Sequence, residues 1–193
     1  MAVGMIDMMH VGIGPALTKE ITNAVATGNR RREKRIFVTG VLMSVILTLI
    51  AAVIAAVLLV WLPIPVLFGE KFAPLSEVMH RAAWIGLAII SVEMVCIVFE
   101  KVRDGYMETR YNNAWGAFGN ILGAVSLLVG IWFFPTIEFL LLSINGSIAI
   151  AKLGNSIHFL MKRNYLIPRL RLFRKDLVKP LAGQSVRFSI TYI

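Results

Sequence analysis

The sequence predicts an all-α protein, a polytopic transmembrane helix bundle with about four complete spans and two partial spans at its ends. Three observations predict it. The chain is 58% hydrophobic over 193 residues, and its mean hydropathy is +0.75, well above a soluble average. Its charges sit in clusters separated by long apolar runs. Several of those runs approach the roughly 20 residues that cross a bilayer core as a helix.

The elements follow in order. Met1 to Leu17 is apolar but short and holds Asp7 and His10, so it is expected to be the second half of a span. Thr18 to Arg35 is a polar, basic loop, helical at first. Ile36 to Gly69 carries no charge. Its first part, to about Leu62, is a span that Pro63 and Pro65 end, because proline lacks the amide proton and clashes with the preceding turn. Glu70 to Arg81 is a short mixed-charge loop. Ala82 to Phe99 is the next span and contains Glu93. A charged loop covers 100–113, a glycine-rich span Ala114 to Phe134, a tight turn "PTIE", and a further span Phe139 to Met161. The expected organisation is therefore an incomplete N-terminal transmembrane lobe over 1–161, a basic loop over 162–180, and the start of another span over 181–193.

The net charge of +9 is unevenly placed. Lysine and arginine crowd the loops at 18–35, 100–113 and 162–180. The alternate loops hold only Lys71 and Arg81, then none. Three loops on one side agree, so that side is expected to be cytoplasmic, in the inner or plasma membrane of the cell. Nucleic acid is excluded as a partner, because the basic clusters flank apolar spans with no basic soluble domain between them. Membrane lipids are the expected partners, and the basic segment 162–180 is of the kind that meets anionic lipids. The single cysteine, Cys96, permits no intrachain disulfide. No HExxH, GxSxG or Walker loop occurs, so neither an enzyme nor a cofactor is expected.

The residues that could carry function are the ionisable and polar ones inside spans. A charge at membrane depth costs at least about 2.5–3.5 kcal/mol and marks a functional site by default. Lys152 lies about 15 Å along its helix from Lys162, at 1.5 Å per residue, too deep to reach the interface easily. Asn145, Ala149, Lys152 and Ser156 recur at steps of four, three and four, which is one helical face, and Asn155 borders it. Such a stripe faces either a watery lumen or another helix, since lipid cannot satisfy it. Glu93 lies at a depth within about 5 Å of Lys152 on a helix of the same direction. The two are expected either to pair or, with Glu93 as a proton or cation site, to couple transport. Arg81 stands at the outer mouth, where it is either an anion contact or an exposed loop charge. Gly116, Gly119 and Gly123 share a face and read as helix packing. Trp61, Trp84, Trp115 and Trp132 fall near span ends, as interfacial anchors do.

"HVGIGPALTKEITNAVATGNRRREKR" near the start, "RYNNAWGAFGNILG" (Arg110 to Gly123) and "RLRLFRKDLVKPLAGQSVRFSI" together resemble the lipid-linked oligosaccharide flippases, the Wzx-like polysaccharide exporters of the MOP superfamily. The shared features of the first stretch are Gly12, Gly14, Pro15, Ala16, Leu17, Thr18, Lys19, Glu20, Gly28 and the arginine cluster. His10 and Val11 stand where the family often has an Asp-Leu pair. The resemblance implies helices two to six and the opening of seven, without helix one and with the C-terminal lobe missing. It implies export of a lipid-linked oligosaccharide, carried on a pyrophosphate-linked lipid, for polysaccharide or O-antigen (lipopolysaccharide) biosynthesis. On that reading Lys152 lines a lumen and attracts the anionic substrate. The alternatives are a MATE-like drug/cation antiporter of the same superfamily, and a non-transporting membrane fragment that associates with a partner.

Overall fold

The computed structural model describes residues 2–63, 66, 69–168 and 170–179. Among them are five long helices and no strand. They are α1 (Ala2–Ala26), α2 (Arg30–Trp61), α3 (Ser76–Gly105), α4 (Thr109–Phe133) and α5 (Ile137–Lys162). Short 3-10 turns lie at Glu70–Leu75, Asn164–Leu166 and Leu170–Leu172. The helices α2 to α5 are each long and apolar enough to cross a membrane, which matches the expected span count. The start of a further span expected at 181–193 lies outside the described residues.

The segments expected as basic loops are largely helical. Thr18 to Ala26 continues α1, and the arginine cluster from Arg30 opens α2. The break between them is three residues long. Gly28 takes φ 65°, a left-handed conformation that glycine adopts without a Cβ penalty. Asn29 then caps α2, its Oδ1 accepting the Arg32 amide proton at 3.0 Å, as N-cap asparagines do. The arginines and lysine that follow are good helix formers, so the charges lengthen the helix. In the 100–113 segment α3 runs on to Gly105 and α4 starts at Thr109. Met107 makes the reversal at φ 60°.

The chain divides into two compact units. One draws on Met1–Ile46, Met94–Asn112 and Asn155–Ile193, the other on Leu47–Glu93 and Asn113–Gly154. The first unit has a conventional apolar core. Leu17, Ile21 and Ala24 of α1 meet Ile36, Phe37, Val38 and Val41 of α2, Val98, Phe99 and Val102 of α3, Phe159 of α5, and Leu166. Phe37 sets its edge against Phe99 with centroids 5.5 Å apart, a favoured aromatic geometry. The α1 and α3 backbones come close where Gly105 faces Ile21. There Thr18 and Thr22 donate their hydroxyls to the carbonyls of Lys101 and Gly105 at 2.9 and 3.1 Å.

The second unit packs α4 on α5 through small residues. A Cβ at Gly119 would stand 2.8 Å from the Cβ of Ala151, and one at Gly123 would stand 3.3 Å from the Ser143 carbonyl oxygen. Gly130 receives the Phe139 ring in the same way. Gly119 and Gly123 thus pack helices, as the sequence predicted. Gly116 does not, since a Cβ there would meet nothing within 4 Å. Trp115 packs on a neighbouring helix. Its indole lies on Gly154, where a Cβ would be 2.6 Å from the ring. Trp61 and Trp132, by contrast, are more than four-fifths exposed. In this unit α2 exposes Leu47, Leu49, Ile50, Val53, Ile54 and Val57. Water disfavours so continuous an apolar face, and hydrocarbon accepts it.

Candidate functional site

Helix α5 is not a uniform α-helix. Leu142–Gly146 forms a π turn, which puts one extra residue into the helix and shifts the register on either side of it. The face predicted to run from Asn145 through Lys152 to Ser156 is therefore broken at its start. Asn145 is exposed and donates to the carbonyl of Leu141, one turn back in its own helix, at 3.4 Å. Ser143, Ser147 and Ala151 form the buried line that meets the α4 glycines, and Ala149 and Ser156 of the predicted face are buried as well. Ser143 also accepts the Ser126 hydroxyl at 3.2 Å.

Lys152 is where the sequence argument placed it, and it meets Glu93. Its Nζ donates to Glu93 Oε2 at 2.6 Å. The two side chains are 22% and 21% exposed, and both lie inside spanning helices. At this distance the pair is a charge-assisted hydrogen bond. Taking either charge alone into hydrocarbon would be expensive, and pairing offsets part of that cost. Arg81 is engaged as well. Its Nε lies 3.2 Å from Glu138 Oε1, and its Nη1 lies 3.7 Å from Glu77.

Asn155 and Ser156 belong to the other unit, and the structure gives Asn155 a partner that the sequence reading left in a loop. Arg103 is only 1% exposed. Its Nη1 donates to Asn155 Oδ1, and its Nη2 approaches the Asn155 carbonyl oxygen at 3.5 Å. The guanidinium also lies over the rings of Tyr111 and Phe159, at 5.3 and 5.4 Å from their centroids, close enough for cation–π attraction. Asn155 completes the link by donating its amide to Asn112 Oδ1 at 2.8 Å, and Asn112 donates to Asp104 at 2.8 Å. Val98, Phe99 and Val102 carry the apolar face of α3 past Glu100, which extends the helix but does not by itself announce that Arg103 is buried.

A second missed cluster lies on the basic side of the same unit. Glu108 accepts two hydrogen bonds from Arg163, both 3.0 Å, and one from Lys162 at 2.9 Å. Burial works to raise the Glu108 pKa, but the hydrogen bonds and charges of Arg163 and Lys162 outweigh it and hold the carboxyl at about 2. On Arg163 burial acts to lower the pKa, and the Glu108 carboxylate more than offsets it, so the value is raised. Arg163 also stacks over Tyr106 at 4.0 Å. The Tyr106 hydroxyl donates to Glu33 Oε2 at 2.8 Å, and Tyr165 donates to the same oxygen at 3.1 Å. Burial, then the contacts with Tyr165 and Glu33, push the Tyr106 pKa upward. Glu33 is thus a buried carboxylate inside an arginine run that reads as solvated from the sequence.

These polar groups do two different things. The cluster of Glu33, Tyr106, Glu108, Arg163 and Tyr165 ties α2, the α3–α4 reversal and the segment after α5 together. The pair of Lys152 and Glu93 holds opposite charges inside the spans, where a competing ion would alter the balance. No protein family, curated protein or solved structure matches the chain. The functional reading therefore rests on the residues themselves.

Proposed function

We propose that the chain is part of a membrane transporter that moves an anionic, lipid-linked substrate, with Lys152 as its contact, as the resemblance to lipid-linked oligosaccharide flippases implies. The observation that carries this reading is the Lys152–Glu93 ion pair within spanning helices. A pair of this kind can act as an exchange site. A phosphate oxygen that reaches Lys152 competes with Glu93 for the ammonium. Glu93 would then be a charge left without its counter-ion, which is costly inside a membrane, so it takes up a proton or another cation. Anion movement and cation movement are linked through one lysine. The basic side faces the cytoplasm on this reading, and alternating access of two lobes carries the substrate to the outer leaflet.

Variants at 152 in the native cell test the proposal, with surface polysaccharide measured against the amount of membrane-inserted protein. Lys152→Arg should keep much of the export, Lys152→Ala should remove most of it at normal protein level, and Lys152→Glu should be worst. Normal export with alanine at 152 would refute the lysine as the substrate contact. An unchanged polysaccharide together with lost drug or cation efflux would favour the antiporter reading instead.

A further inference from the structure

On the basic side of the first unit, a cavity of about 610 Å³ opens between the first turn of α2 and the segment that follows α5. Its charged lining is Arg30, Arg31, Lys34 and Arg171, with no carboxylate among its lining residues. Tyr165 forms part of the wall, and Arg30 and Lys34 lie over its ring at 5.4 and 5.6 Å. The nearby carboxylate of Glu33 is engaged elsewhere, accepting the hydroxyls of Tyr106 and Tyr165. Four like charges around one concavity repel one another, and an anion in the cavity would relieve that repulsion. The positive end of the α2 helix dipole adds to the potential there.

Two features say what kind of anion. The three α2 cations stand in the first turns of a span 32 residues long, which sets them at the level where a bilayer presents its phosphates. Asn164, Ile167 and Leu172 complete the wall, and Ile167 is exposed. Apolar side chains beside a cluster of cations suit a phosphate that continues into glycerol and acyl chain better than a free, fully hydrated phosphate. We infer that this cavity binds the phosphodiester headgroup of an anionic membrane lipid. The inference requires only that the helices span a membrane, and it stands whether or not the chain moves an oligosaccharide.

The full chain, purified in mild detergent, is titrated with phosphatidylglycerol, phosphatidylcholine or inorganic pyrophosphate, and bound molecules are counted by native mass spectrometry. Phosphatidylglycerol should bind in preference to phosphatidylcholine. Arg31→Gln/Arg171→Gln should weaken that binding roughly thirtyfold, from the usual contribution of each basic residue near an anionic surface. Lys19→Gln/Lys175→Gln removes the same charge from exposed positions outside the cavity and should change it less than about threefold, the span left to the diffuse surface field. Lys34→Gln/Arg171→Gln serves if the first pair does not fold. Equal losses in the cavity and control variants would overturn the inference, because a diffuse field would then explain the binding. So would equal binding of the two lipids, or cavity-dependent binding of pyrophosphate without phosphatidylglycerol.

Discussion

Replacing Glu108 by glutamine should destabilise the first unit in a way that depends on pH. The carboxylate accepts three hydrogen bonds from cationic donors, two from Arg163 and one from Lys162, at 2.9 to 3.0 Å. Its pKa is held at about 2 against an ordinary 4.5. A shift of that size corresponds to at most about 3 to 4 kcal/mol at neutral pH. The carboxylate is still 16% exposed, so screening brings the expected figure nearer 2 kcal/mol. The sign follows from the direction of the shift. A lowered folded-state pKa means that the contribution is complete above the unfolded value near 4.5 and is lost as pH falls toward 2. The assay is unfolding of the detergent-solubilised chain, wild type against Glu108→Gln, at pH 7, 4 and 2.5. The stability gap should be about 2 kcal/mol at pH 7 and should narrow to a fraction of that at pH 2.5. A gap that does not change across this range would refute the reasoning, as would no gap at pH 7.

Other expectations concern different parts of the molecule. If Glu93 and Lys152 neutralise each other, Glu93→Gln should harm stability or export, and adding Lys152→Gln should recover part of the loss; a double-mutant cycle without coupling would remove the pair from the account. Asn155→Ala should cost about 3 kcal/mol, since it leaves the buried Arg103 guanidinium without its side-chain acceptor, whereas Arg103→Met should cost much less; the reverse order in thermal unfolding would show that the arginine is not held by the asparagine side chain. Gly119→Leu should separate α4 from α5 and lower the yield of folded protein, while Gly116→Leu, with open space around it, should be tolerated. In a Cys96→Ser background, Lys175→Cys should react with an impermeant thiol reagent only after the membrane is opened; labelling from outside intact cells would invert the topology.

The sequence by itself determined the class of the molecule and the number of its spans. Apolar runs of the right length between charged clusters admit few other solutions, because the backbone must satisfy its own hydrogen bonds in hydrocarbon. It also placed Lys152 and Glu93 at matching depth, since helical rise is a constant of the backbone. Rotation about the helix axis was harder. The face from Asn145 to Ser156 assumed 3.6 residues per turn, and the π turn at Leu142–Gly146 breaks that assumption without a residue pattern that announces it. Only the tertiary structure could decide the fate of charges near span ends. Arg103, Glu33, Glu108 and Arg163 read as solvated, because charged residues in connecting segments usually are. Arg103 and Glu33 are buried, and Glu108 and Arg163 half-buried, because other segments fold over them and supply partners: Asn155 for Arg103, the hydroxyls of Tyr106 and Tyr165 for Glu33, and Arg163 for Glu108. Those partners lie about 50 to 130 residues away in sequence, and a local pattern carries no information about a contact whose other half is so distant.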